Sequence, residues 1–462
     1  MKTKAVRLYG ANDLRLEEFE LPAIGEDELL VKIISDSACM SSYKAVTQGS
    51  AHKRVPGDIG TNPVIIGHEL CGEIIEVGKN VDTKYCAGQK FILQPAMRGT
   101  YDAAGYSFKY LGGNAQYGII PKRYLDQGCV LLYEGEGYFA GSLAEPLSCV
   151  IGAVHANYHT RQGEYIHDMG IKKGGKMAAL GACGPMGLAL IDYIIHCDRK
   201  PGLLLIVDID QDKLDFAKEA LPVAKAKENG IDLIYFNAGV PNATEKMMEI
   251  SGGHGYDDAF VFVPVAKLIE QADAMLAYDG CLNFFAGPSD TKFSANFNFY
   301  NVHYNATHIV GTSGGNTDDM VEAIEMSSAG KLNPALLLTH IGGLDATIDT
   351  VKRLPELPGA RKLIYNHICM PLTAIADFEE KGKDDPLFAA LAEICARHSG
   401  LWNVEAEAYL LEFDLRGARW QDPVSLAALE ESKQIEANPT AYKRYKNAEE
   451  LFADLDSDDD DV

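Results

Sequence analysis

Short apolar runs interrupted by turns fill the first third of the chain. Leu14-Arg15-Leu16 and the run Leu29 to Ile34 stand on either side of Pro22-Ala23-Ile24-Gly25, and similar runs continue from Gly78 to Pro121, which predicts a β-rich region. From about residue 174 the pattern changes. Lys176 to Leu180 reads as a strand, the next apolar stretch as a helix through Ile195, and Leu203 to Val207 is apolar at every position, as in a strand covered on both faces. Further strands are predicted over 259–263, 281–286 and 307–311, and a helix over Thr317 to Ser328. Strands and helices in alternation predict a doubly wound parallel sheet. After Leu336 to His340, a short helix and a last strand at Lys362 to Tyr365 return the chain to the first region. Beyond Pro371 the spacing is helical. Asp385 caps and Pro386 opens a helix with Leu387, Phe388, Leu391, Ile394 and Cys395 on one face, stopping near Gly400; a second runs from Val404 to Phe413 and a third starts at Asp422-Pro423. Asp454 to Val462 is predicted to be a solvated acidic tail.

A length of 462 residues exceeds what one hydrophobic core supports, so two domains and an appendage are expected. No apolar segment approaches the roughly 20 residues needed to span a bilayer, and the N-terminus lacks the apolar core of an export signal, so the chain reads as cytoplasmic. Ten cysteines without regular spacing then read as reduced thiols. A net charge of −24 argues against nucleic acid or an anionic membrane as partner.

Two constellations carry candidate chemistry. In Pro63 to Val77, Gly67-His68-Glu69 lies at a turn between two apolar runs, so an imidazole and a carboxylate sit where a metal could be held. Cys39, where a strand gives way to a loop or short helix, is a second candidate ligand, and Glu145, before Pro146, places a carboxylate at a helix start. The N and O mixture of His68 and Glu69 suits zinc better than magnesium or calcium. Each residue also has a plainer reading: a histidine satisfied at a turn, a core cysteine, an acid favoured by a helix dipole. The second constellation is Gly181-Ala182-Cys183-Gly184-Pro185-Met186-Gly187 between strand and helix, with Asp208 ending the next strand and Lys213 as the one nearby cation. Glycines let backbone approach a pyrophosphate at a helix N-terminus, and the later carboxylate accepts from ribose hydroxyls, so a dinucleotide is expected there. Asp208 favours NAD, since its charge would repel a 2′-phosphate.

Taken in order with the Gly112-Gly113-Asn114-Ala115-Gln116-Tyr117 stretch and Glu145-Pro146-Leu147, these landmarks resemble the zinc-dependent medium-chain dehydrogenase/reductase superfamily from residue 1 to about 370. The resemblance implies an α/β fold: a GroES-like β-rich catalytic domain over 1–155, an inserted Rossmann domain over 156–312, a return to the catalytic domain over 313–372, a helical C-terminal extension over 373–453 and an acidic tail over 454–462. It makes Cys39, His68 and Glu145 zinc ligands, with Glu69 a ligand or linked through water, and Ser41 the hydroxyl that passes a proton. It implies hydride transfer with a nicotinamide cofactor and a homodimer or homotetramer. There are departures. No cysteines occur in residues 94 to 111, where the family's alcohol dehydrogenases hold a structural zinc, so one zinc per subunit is expected; Ser42 stands where an aspartate is usual, Met40 replaces a common glycine or arginine, and Ala182 offsets the glycine turn.

Met370 to Ile375, Asp385-Pro386-Leu387-Phe388 and Gly400-Leu401-Trp402-Asn403 are similar to the sugar-phosphate branch of the superfamily, the L-sorbose 1-phosphate reductases. That implies a ketose phosphate and its hexitol phosphate as substrates, as in L-sorbose 1-phosphate reduction to D-glucitol 6-phosphate. A protein this acidic needs a local cationic pocket for a phosphate ester, and His52-Lys53-Arg54 is the candidate, a solvated basic loop being the alternative. Other readings are an unphosphorylated polyol or secondary alcohol dehydrogenase and a non-enzymatic nucleotide-binding scaffold.

Overall fold

A computed structural model describes residues 1–288 and 290–421, which contain two main sheets. The first has eight strands, seven of them along one path. Leu29–Ala38 lies near its centre, paired antiparallel on one side with Leu70–Val77 and on the other with Arg361–Tyr365, and Tyr117–Ile120 also pairs with it. Leu29, Val31 and Ile33 are fully buried against Ile74, Phe91 and Ile120, as their β-branched and apolar character in a pleated run dictates. A smaller three-stranded sheet joins Asp13–Glu20, Lys2–Gly10 and Val64–Ile65. The return predicted from the sequence is made by Arg361–Tyr365, one residue earlier than expected.

The second sheet is six-stranded and wholly parallel, in the order Asp232–Asn237, Leu203–Asp208, Lys176–Leu180, Tyr256–Val261, Leu276–Phe284, His308–Val310. Its core is Ala178, Leu180, Leu205, Val207, Ala259, Val261 and Leu282. The strands expected over 259–263 and 281–286 begin three and five residues earlier, because polar Asp257, Asp258 and Asp279 take ladder positions that their hydrogen bonds to neighbouring segments support. The helix Pro185–His196 starts on a proline, whose missing N–H is an orphan there in any case. A hairpin of Tyr158–Arg161 and Glu164–Met169, invisible in the largely polar sequence, stands between the two regions.

The segment after Pro371 is packed into the first region. Thr373–Ala374 pairs with Leu338–Gly343 at the sheet edge, the helix Pro386–Arg397 is capped by Asp385, and the fully buried Trp402 donates through Nε1 to the Tyr365 hydroxyl at 2.9 Å. Met1–Ala408 forms one compact unit, and the described residues from Tyr409 on fall outside it. The helix Val404–Gln421 runs eight residues beyond the expected Phe413. The helix expected from Asp422 and the tail over 454–462 lie outside the described residues.

Candidate active site

The strand Leu29–Ala38 delivers Cys39 as the residue before the helix Met40–Gln48. Gly67 turns the chain at φ +90°, where a Cβ would fall 2.6 Å from an Asp36 oxygen, so only glycine lets His68 and Glu69 enter the interior here. Asp36 fixes that turn, accepting from the Glu69 amide at 3.0 Å and from Asn114 at 3.0 Å. As a result the Cys39 thiol, a His68 nitrogen and a Glu69 oxygen lie within 4.8 Å of one another, the one such group among the described residues. Glu145, in the first turn of Ala144–Ala156, stands beside the group, close enough to be repelled by Glu69 and attracted by His68. The geometric trio thus holds Glu69 where the resemblance ranked Glu145.

Arg361, at the head of the return strand, supplies the positive charge of this interior. Its Nη1 is 3.0 Å from Glu69 Oε1, and it also bonds the Cys39 thiol. Burial pushes Glu69 up to about 8 against the pull of Arg361, and pushes Glu145 up to about 7 with help from Glu69. Burial also opposes ionisation of Cys39, yet Arg361 and the Ser41 amide outweigh it and hold the thiol below its usual range. Neither Glu69 oxygen meets an aligned hydrogen-bond donor although both are buried. A thiol, an imidazole and a carboxylate with free lone pairs, gathered at this separation, match the donor set of zinc.

The remaining expected residues fall around this centre. Ser41 is exposed and its hydroxyl reaches the Tyr106 phenol, whereas Ser42 is buried with its hydroxyl 3.2 Å from His68 Nδ1. The Tyr106 hydroxyl is 3.3 Å from His68 Nε2. Tyr106 also bridges to the basic triplet: His52 stacks on its ring at 5.6 Å and the Arg54 guanidinium lies 5.8 Å from its centroid, while Lys53 faces Tyr101. In the glycine turn, Gly187 packs so closely that a Cβ would meet the Ala182 carbonyl at 1.9 Å. Asp208 accepts from the Cys183 amide at 3.1 Å and the Ile209 amide at 2.8 Å, and Lys213 pairs with Asp210 at 3.5 Å. Arg361 Nη2 reaches Met186 Sδ at 3.5 Å, so one arginine touches both the glycine turn and the trio. Arg361, Tyr106 and Ser42 had no part in the ligand set or substrate pocket expected from the sequence. Arg361 left a trace one residue ahead of the predicted strand, Ser42 as a departure from the family's aspartate, and Tyr106 none.

A GroES-like sheet, a parallel dinucleotide-type sheet and a thiol-imidazole-carboxylate centre at their junction define a zinc-dependent dehydrogenase that uses a nicotinamide cofactor. The chain belongs to the zinc-dependent medium-chain dehydrogenase/reductase family: residues 25–129 match the alcohol dehydrogenase GroES-like domain and residues 204–329 the zinc-binding dehydrogenase domain. It is 51% identical over 414 residues to the mannitol-1-phosphate 5-dehydrogenase of Aliivibrio fischeri, covering 89% of this chain and 98% of the relative. It is 48% identical over 411 residues to the L-sorbose 1-phosphate reductase of Klebsiella pneumoniae, covering 88% and 97%. Among solved structures, 2R,3R-butanediol dehydrogenase from Bacillus subtilis shares the fold with a TM-score of 0.62 at 21% identity, over 79% of this chain and 99% of that one.

Proposed function

We propose that the protein interconverts a ketose phosphate and a hexitol phosphate, L-sorbose 1-phosphate and D-glucitol 6-phosphate being the leading pair, with NAD as the preferred cofactor. The observation that carries this reading is the Arg54 guanidinium over the ring of Tyr106, on which His52 also stacks and whose hydroxyl meets His68: a cation, with Lys53 next to it in sequence, one side chain away from the metal centre of a strongly acidic chain. Two relatives with sugar-phosphate names at about half identity support it.

In this reading Cys39 and His68 hold one zinc per chain, with Glu69 and Glu145 as the oxygen donors beside them. Bound zinc supplies Lewis acidity to the carbonyl or alcohol oxygen. Ser42 and Tyr106 meet the two ring nitrogens of His68, one of which the metal would take over while the other orients the ring, and the exposed Ser41 hydroxyl passes the proton toward solvent. Asp208 accepts from the ribose hydroxyls and disfavours a 2′-phosphate. Arg54 and Lys53 take the substrate phosphate, and subunits assemble as a homodimer or homotetramer.

Steady-state kinetics on Arg54→Ala test the substrate. A charge-assisted hydrogen bond contributes about 1.5–3 kcal/mol, so kcat/KM for the phosphorylated sugar should fall roughly 10- to 150-fold while that for free sorbose or sorbitol changes little. A wild-type preference for the unphosphorylated polyol would replace this reading with a sorbitol-type activity.

A further inference from the structure

Far from the reacting atoms, the segment that follows the catalytic sheet plants a carboxylate in its interior. Glu407 lies near the start of the helix Val404–Gln421, beyond residue 329 where the second family domain ends, and is only 2% exposed. Its Oε2 accepts from the Tyr138 amide at 2.6 Å, and its Oε1 from the Phe139 amide at 2.8 Å and the Tyr365 hydroxyl at 2.6 Å. The Tyr365 hydroxyl in turn accepts from Trp402 Nε1.

Those partners belong to two elements that both lead to the metal centre. Tyr138 and Phe139 open the short helix Tyr138–Ser142, which passes through Leu143 directly into Ala144–Ala156, with Glu145 in its first turn. That lead-in is pinned again where Ser142 meets Ser35, 2.8 Å apart and buried, in the strand that delivers Cys39. Tyr365 ends the return strand that Arg361 begins, and Arg361 holds Glu69. We propose that Glu407 is a positioning residue for the metal site: by joining the lead-in of Glu145 to the strand of Arg361, it sets the distance between the two sides of the donor set. A buried carboxylate with three donors on two elements is rigid in a way that apolar packing is not, since each bond fixes direction as well as distance. The inference rests on the zinc site proposed above.

The test uses full-length wild type, Glu407→Gln, Tyr365→Phe and Ile269→Ala, the last a buried position of the other sheet's core that serves as a stability control. In Glu407→Gln an amide N–H replaces one acceptor and faces a donor. Tyr365→Phe keeps the carboxylate and both amide bonds and removes the link to the return strand together with the acceptor of Trp402 Nε1. Expected for Glu407→Gln is release of zinc to a chelator and a fall in kcat of about 10- to 100-fold, the range for residues that orient metal ligands, with shifted ligand-field bands in the Co2+-loaded protein and an unaltered KM for NADH. Tyr365→Phe should change in the same direction by less, and Ile269→Ala should lower Tm without changing zinc release or the Co2+ spectrum. Should Glu407→Gln fail to fold, Tyr365→Phe decides. The inference is overturned if these variants lose Tm but retain zinc, spectrum and kcat as the control does. Wild type that binds no zinc would instead overturn the metal reading itself, and this inference with it.

Discussion

Replacing Arg361 by Met removes the cation of the site while keeping a long side chain in its place. The Arg361 side chain is 12% exposed and Glu69 is fully buried 3.0 Å from it, so at about pH 9, above the value of about 8 to which burial pushes Glu69, the substitution leaves a carboxylate that neither water nor an aligned donor can reach. Breaking a buried pair from one side costs about 3–5 kcal/mol, several times the median for an exposed ion pair. Glu145 and Cys39, both drawn to the same arginine, add to the loss. A bound zinc ion supplies positive charge at the same place, so the penalty should be smaller in the loaded protein. Urea unfolding of Arg361→Met and wild type, each chelator-treated and zinc-loaded, measures both. The expected result is a loss of about 3–5 kcal/mol without metal and a smaller one with it, and by linkage zinc binding in the variant tightens about tenfold for every 1.4 kcal/mol between the two losses. Equal losses in the two forms, or a loss under about 1 kcal/mol without metal, would refute the assignment of Arg361 as counterion to a metal-binding carboxylate.

Asp208→Asn should raise the ratio of NADPH to NADH kcat/KM by about tenfold, equivalent to ~1.4 kcal/mol of removed repulsion, and a ratio unchanged in kinetic assays would count against the cofactor reading. Trp402→Ala should cost about 3–5 kcal/mol in chemical unfolding, since the side chain is fully buried and its indole N–H is bonded to Tyr365; a cost under about 1 kcal/mol would mean that the C-terminal segment does not support the first sheet. Burial, with the charge of Lys362, lowers the pKa of His340 from 6.5 to about 4, so its neutral form contributes stability that is present above pH 6.5 and lost as pH falls toward 4. That contribution is at most about 3 kcal/mol, and His340→Asn should flatten the stability-versus-pH curve between those limits.

Most of the parallel sheet was legible because its signals are local: Lys176–Leu180 and Leu203–Asp208 are almost wholly apolar runs, whereas Asp232–Asn237, polar at both ends, was not expected, and the helix Thr317–Ser328 has the expected bounds because Asn316 and Asp319 form its capping box within four residues. Cys39, His68, Glu69 and Glu145 stood out as residue types at turns and helix starts. What the sequence did not display is what partners them. Arg361 faces Glu69 only because the return strand pairs antiparallel with Leu29–Ala38 in a register that sets Lys362 against Ala38, and nothing in Arg361-Lys362-Leu363-Ile364-Tyr365 encodes that register. Tyr106 and Ser42 are ordinary until folding places their hydroxyls on the two nitrogens of one imidazole. Glu407 read as one acid among many in a helix, and the expected extension is tied into the sheet by a carboxylate whose partners are a helix start and a strand end.

The central strand Leu29–Ala38 has two neighbours that precede the parallel sheet in sequence, Leu70–Val77 and Tyr117–Ile120, and one very far away. Asn366 bonds the Ile33 carbonyl across 333 residues of chain, and the whole parallel sheet is encoded in between. On a ribosome that adds about 5–20 residues per second, the first domain therefore waits tens of seconds for its closing strand, while the strands between Lys176 and Val310 emerge together and are free to pair. During that interval Tyr117–Ile120 already covers Leu29–Lys32, but the Ser35–Ala38 half of the same edge, which leads to Cys39, has no ladder partner. The nascent chain is thus a finished nucleotide-binding lobe carrying an open sheet, a state in which binding by a chaperone, or aggregation through that edge, competes with completion of the enzyme.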